Sequence, residues 1–576
     1  RQCGGSEAES TRTAVSELSE ASKAAIREAY NALIEARGLT PRWGQRQMIA
    51  EVAKTLARIN ITGVPAEPSA IAVIEAGTGT GKTIAYAIPA IIMARELNKR
   101  LVVATATVAL QEQLVGRDLP DLQAGSGLEF DFTLAKGRRR YLCLSQLDRL
   151  LATDGGGQNL GLYPDEQAML PGASALDSYR HMLDALGRGE WDGDRDSWPA
   201  TVDDVDWFPI TADQSQCTGR RCPNIRQCSF YRARDALQNA DLIVTNHDLV
   251  LSDLALGGGA ILPAPQDSIY IFDEGHHLPD KALSHFASYC RLPSTLQWLR
   301  DTRRALGRGA PLLAALPGVK DVLEPLDALC DEIADAMDVV GEEGARLMAQ
   351  EQADERLRFP GGIVPEDLKS MSLSLAGLWG RLAGRLTTLE SALDDASDDD
   401  AFAENRDELD AWLMAVGGML SRAEGTLSLW RDFAADSDSA ELQTSGAPPQ
   451  ARWLSRRLDA DEQAIDFHCS HILAADILDE QLWTRAAGAI VTSATMTALR
   501  SFDRFRLRSG VPEDANCAVV VSPFDYARAT LRIPAMESDG GNAQAHTAEL
   551  ITLLPHLLNP NEGSLVLFSS RRQMLD

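Results

Sequence analysis

The chain has 576 residues, too many for one hydrophobic core, so about three or four domains are expected. Hydrophobic residues make up 45% and charged residues 24%, a globular balance, and no apolar run approaches the ~18 residues of a membrane span, so no bilayer crossing is expected. A net charge of −28 does not by itself suggest a nucleic-acid partner, but its distribution is uneven. Acid concentrates at 192–206 and 394–410, while Lys136-Gly137-Arg138-Arg139-Arg140 and the arginines from Arg220 to Arg234 form basic islands.

In chain order, residues 1–40 form an N-terminal segment in which Leu18, Ile26, Ala29, Tyr30, Leu33 and Ile34 recur at helical spacing over 14–36, and Gly38 ends the helix. The opening residues show no apolar core behind a basic start, which argues against a secretory signal and for a cytoplasmic setting. A start at Arg1 rather than Met suggests a fragment or processed terminus. Residues 41–135 alternate helix and strand, with strands at 70–74, 100–106 and 130–135, the rhythm of a parallel sheet covered on both faces.

That rhythm stops at Lys136, and 136–240 reads as a small inserted domain. The sheet resumes in 241–277 at Asp241-Leu242-Ile243-Val244-Thr245 and Ser268-Ile269-Tyr270-Ile271-Phe272-Asp273. Residues 278–461 are Leu- and Ala-rich with helical periodicity and are expected to be an all-helical insertion. Within it, 436–450 reads as a mobile polar loop. Strands at 464–469 and 489–492 would close the first α/β domain in 462–496, and 497–576 would open a second with strands at 517–521, 531–534 and 564–568.

Between the first strand and the helical pattern from Ile84 lies Glu75-Ala76-Gly77-Thr78-Gly79-Thr80-Gly81-Lys82-Thr83. Three glycines in five residues let the backbone curl so that N–H groups and the helix N-terminus point at phosphate oxygens, while Lys82 supplies a charge and Thr83 a Mg²⁺-binding hydroxyl. Asp273 and Glu274 end an apolar strand, where a phosphate-loop NTPase places its acidic pair. Asp273 is suited to hold Mg²⁺ and Glu274 to polarise the attacking water. Ser493-Ala494-Thr495 follows another strand and fits a hydroxyl-bearing linker that senses the phosphates.

Nine cysteines in such a chain are not a disulfide framework. Cys3, Cys290, Cys330, Cys469 and Cys517 stand singly and read as ordinary thiols. Cys217-x₄-Cys222-x₅-Cys228 with a distant Cys143 supplies four thiolates, enough for tetrahedral zinc or a [4Fe–4S] cluster, and spacing leaves the two metals open.

Taken together these motifs resemble the DinG branch of the XPD-like superfamily 2 DNA helicases. The match runs in order from Pro41 to Met574 and includes Gln45-Arg46-Gln47-Met48, the phosphate loop, Thr105-Ala106-Thr107-Val108-Ala109-Leu110-Gln111, the cysteine set, Val244-Thr245-Asn246-His247, Asp273-Glu274-Gly275-His276-His277, Val491-Thr492-Ser493-Ala494-Thr495, Ser522-Pro523-Phe524 and Leu565-Val566-Leu567-Phe568. The resemblance implies a RecA-like motor domain with an inserted iron–sulfur domain and an inserted all-helical arch, and the start of a second RecA-like domain. It implies ATP, Mg²⁺ and a [4Fe–4S] cluster on Cys143, Cys217, Cys222 and Cys228. Nucleotide contacts would come from Gln45, Gly77, Thr78, Gly79, Thr80, Gly81, Lys82, Thr83, Asp273, His276, Ser493 and Thr495, with Thr83 and Asp273 on the metal.

The same resemblance implies 5′-to-3′ unwinding by a monomer acting on single-stranded and forked DNA, or on RNA–DNA hybrids. The arginines of 136–140 would then hold DNA near the fork; otherwise they are a solvated basic face. Two other readings fit the residues: a nucleic-acid-stimulated ATPase that remodels complexes, and a non-catalytic metal-binding clamp. Relatives complete the ATP site with a late Gln-x-x-Gly-Arg-x-x-Arg motif, and its imitation at Gly380-Arg381-Leu382-Ala383-Gly384-Arg385 has Gly377 in place of Gln and lies too early. A chain ending at Asp576 is therefore expected to be truncated and to hydrolyse ATP poorly alone.

Overall fold

The computed structural model describes residues 18–60, 69–152, 173–213, 216–217, 219, 222–351, 355–435, 450–459, 462–528, 530–531, 533–559, 561, 563–568 and 571–575. They form two compact units, 1–523 and 524–576.

The first unit opens with helices α1 (Glu20–Ala36) and α2 (Trp43–Leu56). Ser19 caps α1 by accepting the Ser22 N–H, and Gly38 follows its end at φ 58°, where a left-handed turn requires glycine. Five parallel strands come next: β1 (Ile71–Ala76), β2 (Arg100–Thr105), β3 (Phe132–Leu134), β4 (Leu242–Asn246) and β5 (Ser268–Asp273). Helix α3 (Lys82–Glu96) connects β1 to β2. β1, β2, β4 and β5 are almost wholly buried, as their unbroken runs of Val, Ile, Leu and Phe demand of a sheet covered on both faces.

A second sheet is built in the large insertion from β6 (Ser288–Arg291), β7 (Arg356–Arg358), β8 (Gln450–Asp459) and β9 (Glu462–His471), antiparallel in the order β6-β9-β8-β7. The main sheet then ends with β10 (Gly488–Ser493) and β11 (Asn516–Val520), giving the order β11-β1-β10-β5-β2-β4-β3, all parallel.

Two expectations are corrected here. The insertion is not all-helical. Its long helices Leu292–Leu313, Leu326–Gln350, Glu366–Asp398 and Arg406–Ala434 pack around Trp298, Trp379, Trp430 and Phe433, but the same core includes Leu454 and Phe467 from the small sheet. Residues 464–469 belong to that sheet rather than to the motor sheet. Leu454 and Phe467 are opposed across β8 and β9 and fully buried, whereas the neighbouring pair Trp453 and His468 stacks with ring centroids 5.0 Å apart. β6 and β7 are too short, and β8 too polar, to announce themselves.

The second correction concerns β11, expected to open a second α/β domain. It is instead the edge strand of the first, pairing with β1 from Ala72 opposite Asn516 to Ala76 opposite Val520. The chain leaves β10, passes through the helix Asp503–Ser509, whose Phe505 is buried against the sheet, and returns beyond β1. Such crossovers are invisible to sequence spacing because the partner strand lies over 400 positions away. In the second unit a helix forms at Ala543–Leu557, but no strand forms among the described residues of 531–534 or 564–568.

The small insertion after β3 has its own core of Leu142, Leu147, Tyr179, Trp191, Trp207 and Ile210. Its basic island differs from expectation. Lys136 pairs with Asp194 and Asp196 at 2.5 and 2.8 Å, Arg139 with Asp213 at 2.9 Å, Arg140 with Asp196, and Arg138 lies over the Phe230 ring at 4.2 Å. Asp194 and Asp196 of the acidic stretch thus pair with Lys136 and Arg140, two of the cations expected to hold DNA. Arg220, Arg221 and the loop 436–449 lie outside the described residues.

Candidate active site

The phosphate loop leaves the C-terminal end of β1 and turns into α3 through two left-handed glycines, Gly79 at φ 79° and Gly81 at φ 77°. A Cβ on Gly77 would fall 2.7 Å from the Ser522 Cβ, and one on Gly81 would fall 2.5 Å from the Gln45 amide, so close approach requires glycine at Gly77, and close approach together with the left-handed curl requires it at Gly81. The loop is held from outside. Gln45 donates to the Gly81 carbonyl at 3.2 Å and accepts from Tyr30 at 2.9 Å, Ser522 donates to the Thr78 carbonyl at 2.8 Å, and Arg42 reaches the Gly79 carbonyl. Thr80 is buried and spends its hydroxyl on the Gly77 carbonyl at 2.6 Å, so it shapes the loop.

Lys82 begins α3 and meets the acidic pair at the end of β5: its Nζ is 2.6 Å from Glu274 Oε1 and 3.8 Å from Asp273 Oδ1. Asp273 is buried, and burial raises its carboxyl above the ordinary range although Lys82 opposes the shift. Tyr86, one turn beyond Lys82, donates to Asp273 Oδ2 at 3.3 Å, and Thr83 lies against the same tyrosine hydroxyl. Glu274 experiences burial as its largest influence, upward, but the hydrogen bond and charge of Lys82 with the Ser493 hydroxyl hold it below the usual carboxylate range. Ser493 donates to Glu274 Oε2 at 2.9 Å and lies 2.7 Å from His276 Nδ1, while Thr495 contributes its backbone N–H to Ser493 Oγ at 3.3 Å and exposes its side chain. His247 from the start of the helix after β4 lies 2.9 Å from the Asp273 carbonyl, and burial lowers its pKa to about 4, so the ring is neutral.

The four expected cysteines occupy the small insertion and form no disulfide among the described residues. Cys143 takes its backbone N–H to the Ile210 carbonyl at 2.8 Å, and Cys222 Sγ lies 3.2 Å from Ser145 Oγ. Burial raises the Cys143 thiol to about 11, with further upward contributions from Cys217, Cys222 and Cys228, and burial likewise raises Cys228. Among the described residues no three His, Cys, Asp or Glu side chains lie close enough together to hold a metal ion.

The DEAD_2 family model matches residues 215–290, from the cysteine run through β5 and the acidic pair. A protein described as ATP-dependent DNA helicase DinG from Photobacterium profundum is 35% identical over 538 residues, covering 93% of this chain and 74% of the relative. Proteins of the same description from Salmonella choleraesuis and Escherichia coli are 33% identical over 570 and 574 residues, each covering 97% of this chain and 76% of the relative. The chain belongs to the DinG family.

Within this DinG-family chain the geometry brings Gln45, the loop from Gly77 to Thr83, Asp273, Glu274, His276 and Ser493 together, and it leaves the Thr495 side chain outside the hydrogen-bonded cluster. Tyr86 adds to this set: it lies three positions after Thr83 and four after Lys82, the spacing of one helix face. Glu75, His247 and Ser522 were unassigned, because their roles come from strand ends brought together across the sheet. Gly380–Arg385 lies inside the helix Glu366–Asp398, where Arg381 pairs with Glu332 at 2.6 Å, so it is no part of this site.

Proposed function

We propose that this protein is an ATP-driven DNA helicase that moves 5′ to 3′ on a single strand. The observation that supports it most is the placement of Lys82 against both Asp273 and Glu274, at the ends of strands separated in the sheet only by β10. With ATP bound, Lys82 exchanges its carboxylate partners for phosphate oxygens, and Glu274, ionised at neutral pH and steered by Ser493, takes the proton of the attacking water. Thr83 and Asp273 would hold Mg²⁺, whose chemistry when bound is to neutralise developing phosphate charge. Ser493 joins Glu274 to His276, a route by which hydrolysis reaches the rest of the motor.

On the family resemblance, the cysteine set would hold an iron–sulfur cluster rather than a single zinc. The Cys143 thiol is influenced by Cys217, Cys222 and Cys228, which sets the four in one neighbourhood as a cluster's thiolate ligands would be. The domain reading is a RecA-like motor carrying the cluster domain and the arch as insertions, acting as a cytoplasmic monomer on single-stranded and forked DNA or RNA–DNA hybrids. No helix among the described residues is long and apolar enough to cross a membrane. Strand displacement on duplexes with a 5′ or a 3′ tail tests the proposal. Displacement only from the 5′ tail, requiring ATP and lost in Lys82→Ala, is expected; DNA-stimulated hydrolysis without displacement would instead favour complex remodelling.

A further inference from the structure

Directly after the Ser493-Ala494-Thr495 segment the chain makes a two-residue hairpin turn. Ala498 and Ser501 exchange backbone hydrogen bonds at 2.9 and 3.0 Å, and the two residues between them, Leu499 and Arg500, both take left-handed conformations at φ 52° and 66°. A turn of this geometry normally carries Asn-Gly, because side chains with a Cβ are strained there. Leucine and arginine are poor choices for shape, so surrounding structure must impose it.

The base of the turn is fastened to the phosphate loop. Glu75, the residue of β1 beside Ser493 of β10, accepts with one carboxylate oxygen from Met496 N at 2.8 Å, Thr497 N at 2.6 Å and Thr497 Oγ1 at 2.9 Å. Among the described residues of the first unit nothing covers the tip. Leu499 is 102% exposed, the highest value among the exposed large hydrophobic residues, and Arg500 forms no ion pair among the described residues. The helix that follows also leaves Arg504 and Leu507 exposed, with Asp503 the acid among them, in a chain whose net charge is −28.

We infer that the Leu499–Arg500 tip is a contact for single-stranded nucleic acid, with the leucine lying on a base face and the guanidinium on the adjoining phosphate. An apolar side chain next to an unpaired cation matches the two chemistries that a single strand alternates, and a locally basic tip on an acidic protein attracts a polyanion there. The strap through Glu75 ties that contact to the loop that holds ATP phosphates, which makes the tip a direct mechanical neighbour of the nucleotide. This inference rests on the DNA-helicase reading.

The test uses the full chain and a fluorescent oligothymidylate. The double variant Leu499→Asn, Arg500→Gly restores the residues that such a turn prefers, so its melting temperature should equal or exceed that of the parent, yet oligonucleotide binding read by anisotropy should weaken about tenfold. Separately, Leu499 replaced by the photocrosslinking residue p-benzoylphenylalanine should label the oligonucleotide. Unchanged binding by the double variant, or crosslinks formed only to protein, would overturn the inference and assign the tip to a protein contact. A parent protein that binds no oligonucleotide would overturn the helicase reading and this inference with it.

Discussion

Lys82 Nζ and Glu274 Oε1 lie 2.6 Å apart, with Asp273 3.8 Å from the same nitrogen, so the cation proposed to bind phosphate is paired with carboxylates that it would have to leave when nucleotide arrives. The contact sets an ammonium against a carboxylate, and on the proposed reading the two would part for opposite tasks, one toward phosphate and one toward water. Replacing Lys82 by Ala should abolish ATP turnover while the inserted domains stay folded, measured by steady-state hydrolysis and by circular dichroism. The same variant should alter acid stability. Glu274 is held below its ordinary value of 4.5, so its contribution to stability is present above that pH and is lost only as pH falls through the lower folded value. Without Lys82 the loss should begin at higher pH, visible as an earlier acid limb in melting temperature against pH.

Glu274→Gln should retain ATP binding and lower turnover by about 10² to 10⁴, because it removes a proton acceptor and leaves Asp273 in place. Equilibrium nucleotide binding beside single-turnover hydrolysis separates the two effects. Loss of binding with hydrolysis per bound ATP intact would reverse the roles of the neighbours.

Tyr86→Phe removes the hydroxyl that donates to Asp273 Oδ2 from within the core. A stability cost of about 1 kcal/mol is expected from the lost hydrogen bond, together with a several-fold higher Mg²⁺ requirement as Asp273 loses its orienting partner. Magnesium titrations of ATP turnover at fixed ATP provide the measurement; an unchanged midpoint would make Tyr86 a packing residue only.

Serine at any one of Cys143, Cys217, Cys222 or Cys228 should eliminate visible cluster absorbance and unwinding, with a smaller effect on DNA-dependent hydrolysis. Anaerobic purification with iron and acid-labile sulfide analysis checks this. One zinc per chain without sulfide would establish the other metal.

Asp194→Ala should destabilise the small insertion by roughly 2 kcal/mol, since Lys136 is largely buried and would keep only Asp196 as a partner. Lys136→Ala should likewise cost stability while leaving the salt dependence of DNA binding unchanged, because the ammonium already has two internal partners. A shallower salt slope in that variant would restore the DNA-contact role expected from its sequence.

The candidate nucleotide site was legible because the residues that compose it are local. Three glycines, Lys82 and Thr83 fall within nine consecutive residues between a buried strand and a helix, and Asp273-Glu274 ends another apolar strand; such groups declare themselves through backbone freedom and charge at fixed short spacing. The strand–helix alternation that built the motor sheet, and the four cysteines, could be read for the same reason. Sheet membership could not. β9 and β11 were visible as strands, but each was assigned to the wrong sheet, since pairing is decided by partners far along the chain and by crossovers that leave no local trace. Likewise Lys136 and Asp194, 58 positions apart, each looked like free surface charge until packing joined them. The fastening of Thr497 to Glu75, and the strained display of Leu499 beyond it, arise only where β1 and β10 lie side by side, because a hydrogen bond between chain segments over 400 residues apart exists in the fold alone.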